Sequence, residues 1–593
     1  MVKSHIDVAL PEESAGAAYE EVKRELIAPF EKFIGQGRIR EHDWSLKGRI
    51  QTNGGVIEET IAMAGADKDA VLVKGPGITP TREQTAEQLR VLGDARAPEE
   101  LSKLVTGSPN GYLRGHWLVK GNLERYANPG LSAYLNLPLP ACDKAGKVDV
   151  LCADGGREKD GFFHILTADA DVWVECGGRV VRAPERLSAG SAVYAKTTRR
   201  ADVEALAQKA IDAGREIRFM SKYTVRPELD GEKKKIYNDV RERNGLERKE
   251  GNQGDIVDAA FARLLANPVA DDLTVLAPDA SYGPKIKAVI EAAYTYGVKR
   301  PESDFSVCRF SAGKSEYGGL NKVAREDCEF SVFIGDRHFK FPVAKGDMFE
   351  EMHYDARDAA TYVRQVFDSV QNKGYDRAVF AFDEGDLYDK PVVDAVRAEA
   401  LKRKKVENDD FVIVKPDEAA VLMFTKPLPA KTVYAYDNLW GDIVSDAMDL
   451  GAGVALINSV ILLADGRVWA EMGGAGTAPA LTESFKREGF WRYNPLPVIE
   501  GMAIGFAQAA KNEPENTDLA CYAAALHQAY LNVIASGVAT PDLSPELKAE
   551  NKKAVDMVGF IKKVRVELAR LLGDEAQAKE QEEIYGRIVK EIL

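Results

Sequence analysis

The chain has 593 residues, 45% of them hydrophobic, which is enough for several domains with cores of their own. A formal net charge of -14 gives it no general attraction to nucleic acid or to an anionic membrane surface. No apolar run reaches roughly 18 residues, no signal peptide opens the chain, and the six cysteines (142, 152, 176, 308, 328 and 521) lack CxxC spacing, so the expectation is a reduced cytoplasmic protein without a disulfide scaffold or zinc site.

In chain order, Ala17 to Phe33 carries Tyr19, Val22, Leu26, Phe30 and Phe33 at three- and four-residue steps, the pattern of an amphipathic helix. Residues 55–64 read as a second helix. Val71 to Val73 is a short strand entering Lys74-Gly75-Pro76-Gly77, and Thr81 with Gln84 forms a capping box that starts a helix. Strand, glycine loop and helix in that order is an α/β unit, with the loop at the strand's carboxyl end, where such sheets place ligands. The loop TGSPNGYLRGH (106–116) packs Ser108, Asn110 and Arg114 into seven residues. It is either an anion site with a planar cationic fork or simply a good turn, and Lys120 and Arg125 lie just beyond it.

From 147 to 195 short strands separated by Gly, Asp and Pro predict a β-rich insertion. A helix over 201–213 and a strand over 216–219 lead to Lys222, a strand-end lysine that burial would suit to proton transfer and that is otherwise a surface residue. Residues 255–265 form an amphipathic helix carrying Asp258, and a strand at 273–276 runs towards Tyr282. A helix from Pro391, a strand at 411–414, another helix and a strand into DNLWG repeat that order, which reads as an internal duplication. Phe330 to Phe349 alternates as a hairpin about Gly335-Asp336, with His338 structural. Residues 361–370 are a helix and 377–382 a strand ending in the acidic cluster FDEGDLYD, a solvated loop. The basic runs 233–235 and 402–405 read as solvated helix faces.

The stretch YDNLWGDIVSD (436–446) follows the β-prone run KTVYAY. If a helix begins there, Asp442 and Asp446 share one face a turn apart, which is explained either by a bound cation or by acidic residues meeting the helix dipole. A hydrophobic segment, expected as a helix over 453–465, separates this pair from the glycine-rich loop EMGGAGTAP (471–479). That loop opens a helix and can cradle an anion with backbone amides, although it is neither GxGxxG nor GxxxxGK[ST]. Helices at 498–510, 519–534 and 555–572 close the pattern.

KGPGIT (74–79) with SPNGYLR (108–114), YDNLWGDIVSD (436–446) and GAGTAP (474–479) together resemble the substrate, metal and cofactor loops of the β-decarboxylating dehydrogenases. PDASYG (278–283), GDMFEEMHYDARDAATYVRQ (346–365) and GGAGTAPALTESFKREGFWRYNPLP (473–497) narrow the resemblance to monomeric-type isocitrate dehydrogenase. It implies an α/β, isocitrate/isopropylmalate dehydrogenase-like clamshell of two domains. Residues 1–115 and 451–593 would form the cofactor domain, and 116–450 an internally duplicated substrate and metal domain.

The reaction implied is metal-dependent oxidative decarboxylation of isocitrate to 2-oxoglutarate and CO2. The alternatives are a related acid such as homoisocitrate or isopropylmalate, or a non-catalytic relative. Ser108, Asn110, Arg114 and Arg125 would hold substrate carboxylates. Lys222 would take the hydroxyl proton, Tyr282 would protonate the enol, and Asp258, Asp442 and Asp446 would bind Mg²⁺ or Mn²⁺. Lys74, Gly474, Gly476, Thr477, Ala478, Pro479, Leu481 and Arg492 would line the cofactor site.

An arginine that the family pattern places before the first metal aspartate is absent: Gly441 stands there, so substrate binding must draw on a different cation. Leu481 stands where the NADP-using branch has a histidine, Arg492 matches that branch's first arginine, and its later arginine-rich stretch is missing. Losing two charge-assisted partners costs a 2′-phosphate about 3 kcal/mol or more, so NAD is expected over NADP. A monomer is expected, with a dimer as the alternative.

Overall fold

The computed structural model describes residues 4–43, 45, 47, 70–76, 82–93, 122–127, 148–152, 161–212, 217–219, 227–248, 273–277, 305–310, 319–425, 430–441, 444, 459–462, 468–472, 476–538, 540, 555–573 and 583–586. With strands numbered β1 to β21 along the chain, the main sheet has ten. In spatial order they are β18 (Phe411–Val414), β17 (Arg377–Ala381), β19 (Thr432–Asp437), β12 (Phe305–Phe310), β4 (Asn122–Ala127), β20 (Ser459–Leu462), β21 (Val468–Glu471), β3 (Val71–Lys74), β1 (Ile6–Ala9) and β2 (Ile39–His42).

The first four strands run parallel to one another, as do the last four. Between these groups, β12–β4, β4–β20 and β20–β21 are all antiparallel. Three reversals set the two parallel groups in opposite directions. The loops after β1, β3 and β21 therefore leave one edge of the sheet, and the loop after β19 leaves the other.

Each group has its own cover. One apolar core joins Ile6, Val8 and Val73 to the helices Leu496–Asn512, Thr517–Ala535 and Met557–Gly573. The first of these helices lies close on the sheet because Gly501 and Gly505 face it. A Cβ at Gly505 would stand 2.4 Å from Val73 Cγ2, and one at Gly501 would stand 2.7 Å from Met472 Cγ. Beneath that core, Arg38 forms a buried fork to Glu513 at 2.7 and 3.0 Å. Burial opposes the Glu513 charge, but Arg38, Asn516 and the Ser4 amide outweigh it and hold the carboxyl at about 2.

Over the other group lies the helix Ala356–Asn372, which places Tyr362, Val363, Val366 and Phe367 against Cys308, Phe380 and Val433. Its N-cap is Asp355, which accepts from the Arg357 amide at 2.7 Å and from Ser188 Oγ at 2.6 Å.

The β-rich module is two four-stranded sheets. One is β13 (Leu320–Val323), β16 (Met348–Tyr354), β9 (Ala192–Thr198) and β6 (Gly161–Ile165). The other is β15 (Arg337–Val343), β14 (Cys328–Ile334), β7 (Ala170–Cys176) and β8 (Arg179–Leu187). Val172, Val174, Phe330, Val332 and Phe349 fill the space between them. The hairpin about Gly335-Asp336 is present as β14 and β15, and Gly335 takes the left-handed φ of 56° that its turn requires.

Three expectations are corrected. The segment expected as a helix over 453–465 supplies β20 at 459–462, because an apolar run paired on both sides needs no polar face and has no periodicity to tell strand from helix. The strand at 148–152, β5, leaves the β-rich module for a parallel sheet with β10 (Ile217–Phe219) and β11 (Leu273–Ala277). Lys233, assigned to a solvated face, is 3% exposed on the helix Pro227–Arg243, which packs on the module. Two of the cysteines that look scattered in sequence, Cys176 and Cys328, lie with their sulfurs 2.8 Å apart. No helix among the described residues is long and apolar enough to cross a membrane.

Candidate functional site

At the edge where β1, β3 and β21 end, backbone bonds continue past the strands: Leu10 N–H to His42 O (3.0 Å), Gly75 N–H to Ala9 O (2.9 Å) and Met472 N–H to Lys74 O (2.8 Å). Gly75 has to be glycine, since a Cβ there would lie 2.5 Å from Pro11 N and 2.6 Å from Ala9 O. The chain after β1 turns at once into the helix Glu13–Val22, whose Ser14 ties down the glycine-rich loop. Its N–H donates to Thr477 O at 3.1 Å and its Oγ to Ala478 O at 2.9 Å, and Tyr493 Oη reaches Gly476 O at 3.3 Å.

The carbonyls of 476, 477 and 478 thus face protein donors. Gly476 (φ 60°) and Ala478 (φ 46°) both hold left-handed backbone, the latter at a cost of about 1–2 kcal/mol. Pro479 then starts the helix Pro479–Glu488, whose amino end suits an anion.

Lys74 is 2% exposed and ion-paired to Glu471 on the adjacent strand. Leu481 packs against the helical core. Arg492 is half-exposed, lies 5.6 Å from the Phe490 ring centre, and donates to Glu488 at 3.2 Å.

At the opposite edge, Tyr362 Oη donates to the carbonyls of Cys308 (2.9 Å) and Tyr436 (3.2 Å), fixing β12 beside β19. Burial pushes the hydroxyls of Tyr362 and Tyr436 well above the usual tyrosine range. The chain leaving β19 winds into helix at 438–441, and Asp437 Oδ1 accepts from the Trp440 amide.

Arg309, on β12 in register with Tyr436, is 4% exposed and donates from Nε (3.2 Å) and Nη2 (2.9 Å) to Asn438 Oδ1. Its stem crosses Gly441, where a Cβ would stand 2.4 Å from Arg309 Cγ. Arginine only donates, so the Asn438 oxygen must face it, and the amide nitrogen then points away. That nitrogen is buried without an acceptor among the described residues. A buried donor left open costs about 1–3 kcal/mol and suits a ligand or water oxygen.

Of the residues singled out from sequence, Ser108, Asn110, Arg114, Lys222, Asp258, Tyr282, Asp442, Asp446 and Gly474 lie outside the described residues. Arg125 is on β4, opposite Val307 of β12 and Ser459 of β20, and its side chain is outside the description. Among the described residues no three His, Cys, Asp or Glu side chains form a metal cluster. Gly476, Thr477, Ala478, Pro479 and Leu481 are brought together with Ser14, while Lys74 meets Glu471. Sequence reasoning missed Arg309, Ser14 and Glu471. The one available signal was an arginine inside the otherwise apolar run FSVCRF.

A ten-stranded sheet shared by two parallel groups, with the loop of residues 476–479 on one edge and the helix start at 438–441 on the other, has the α/β architecture of the isocitrate/isopropylmalate dehydrogenase-like superfamily. Within it, residues 262–557 match the family model for monomeric isocitrate dehydrogenase. "Isocitrate dehydrogenase [NADP]" of Azotobacter vinelandii is 24% identical over 269 residues, 44% of this chain and 36% of that protein, so the match spans little more than a third of the relative's length. The solved isocitrate dehydrogenase from Ostreococcus tauri, in complex with isocitrate and magnesium(II), superposes with a TM-score of 0.52 at 12% identity. That superposition covers 95% of this chain and 99% of that one.

Proposed function

We propose that the protein catalyses metal-dependent oxidative decarboxylation of isocitrate to 2-oxoglutarate and CO2, with hydride transfer to NAD. The observation that carries this reading is that the family-matched segment contains both the β19 turn and the glycine loop, each at the carboxyl end of a strand in the shared sheet.

In this reading Ser108, Asn110, Arg114 and Arg125 hold the substrate carboxylates. Lys222 takes the C2 hydroxyl proton as hydride leaves C2 for the nicotinamide. Loss of the neighbouring carboxylate as CO2 leaves an enolate that Tyr282 protonates at carbon. Asp258, Asp442 and Asp446 would hold Mg²⁺ or Mn²⁺, which supplies Lewis-acid polarisation of substrate oxygens. Arg309 is our candidate for the cation that replaces the arginine missing at 441: it is buried beside Gly441, and it orients Asn438 so that an amide donor is left for a ligand oxygen. The same substitution is what favours the second reading, a related 3-carboxy-2-hydroxy acid such as homoisocitrate or isopropylmalate.

Preference for NAD is supported by the apolar setting of Leu481 and by Glu488, which already counters the charge of Arg492. Steady-state kinetics with each nicotinamide tests it: kcat/KM is expected to be higher with NAD, and a higher value with NADP refutes the preference. Lys222→Met and Asp442→Asn should each abolish turnover at unchanged melting temperature, and an active variant removes that residue from its role. We propose a cytoplasmic monomer.

A further inference from the structure

We propose that Cys176 and Cys328 are a redox modification site that closes to a disulfide with hydrogen peroxide as oxidant. Cys176 ends β7 and Cys328 begins β14, adjacent antiparallel strands in which Phe330 pairs with Cys176. Cys328 is two residues before Phe330 on the same strand and so shares its face of the sheet. Both side chains pack at the rim of the module's core, and both remain partly exposed.

The sulfurs are 2.8 Å apart although the residues are 152 positions apart in sequence. The backbone holds them there: Gly177 N–H donates to Glu329 O at 3.0 Å. Gly177 itself takes a left-handed φ of 57°, its missing Cβ 3.5 Å from Cys328 Cβ.

Burial, followed by the neighbouring Cys328 and the charge of Glu326, pushes the Cys176 thiol up to about 12, and in the proposed sequence Cys176 reacts second, from its protonated form. The Cys328 sulfur takes one peroxide oxygen, forming a sulfenic acid and releasing water. The Cys176 sulfur then displaces the sulfenic hydroxyl, which leaves with the Cys176 proton as a second water. Two thiols lose two electrons and the peroxide gains them.

The bond would join the two separate chain passages that build the β-rich module, 161–198 and 319–354. By constraining the unfolded chain it makes that module harder to unfold. It lies on a different sheet from both edges of the candidate site, so it stands independently of the dehydrogenase reading.

The full chain treated with hydrogen peroxide should lose one pair of titratable thiols, give a Cys176–Cys328 linked peptide lighter by two hydrogens in a non-reducing map, and show a raised urea midpoint that dithiothreitol reverses. Cys176→Ser and Cys328→Ser should each show none of these changes. Full alkylation of both thiols after peroxide, recovery of either as sulfinic acid without the linked peptide, or an unchanged midpoint in the cross-linked wild type would overturn the proposal.

Discussion

The two edges of the shared sheet hold their loops by different means. Where β1, β3 and β21 end, Gly75 closes on the backbone of Pro11 and Ala9, and the loop's own backbone carbonyls at 476–478 accept from the Ser14 amide and from the Ser14 and Tyr493 hydroxyls. Where β19 ends, side chains hold the turn: Asp437 accepts from the Trp440 amide, and buried Arg309 reaches Asn438 across Gly441. A backbone-built edge has no flexible end to give way, so substitution there acts on folding. A side-chain-built edge can lose its cation and keep its strands, so substitution there acts on binding.

The largest effect that would test this contrast is at Gly75. Gly75→Ala sets a Cβ against backbone atoms, and more than about 3 kcal/mol of stability should be lost in urea unfolding, beyond the range of ordinary overpacking. A loss below about 1 kcal/mol would show that the edge is softer than its contacts indicate. Next is Arg309. Arg309→Ala should raise KM for the acid by about tenfold or more, the worth of a charge-assisted contact, while KM for the nicotinamide changes less than about twofold. Equal effects on both constants would erase the distinction between the edges.

Gly441→Ala touches neither Arg309 nor Asn438 chemically but displaces the Arg309 stem. It should reproduce the same one-sided KM change at smaller size, and an acid KM unchanged from wild type would remove Arg309 from the site.

The smallest effect is a pH dependence carried by Glu513 in the backbone-built half. The folded-state carboxyl of Glu513, about 2, lies below its ordinary value of 4.5. The stability that follows from this shift is present above pH 4.5 and is lost as pH falls towards 2. Melting curves should show wild type losing more stability across that window than Glu513→Gln, and parallel curves would contradict the assignment.

How much of this was legible in the sequence depended on how local the signal was. β14 and β15 were readable because alternation flanks a two-residue Gly-Asp turn, and β18 because four apolar residues sit between charged ones. β1 and β2 are four residues each, too short for a period, and they exist because β1 pairs with β3 on one side and with β2 on the other. β20 looked helical because nothing within its own segment reveals that β4 and β21 flank it.

In the site, the glycine loop was legible from its composition and the departure at Gly441 from its neighbours. The reason for that glycine was not, because Arg309 is remote in sequence and reaches it only through the pairing of β12 with β19. Lys233 shows the converse: a basic run looks solvated until the β-rich module covers one of its lysines.

The central claim is tested most directly by measuring products. With isocitrate, Mg²⁺ and NAD, the account predicts CO2 and reduced nicotinamide formed in equal amounts, with 2-oxoglutarate as the organic product. Reduced nicotinamide without CO2, or no turnover of isocitrate with either nicotinamide, would contradict it.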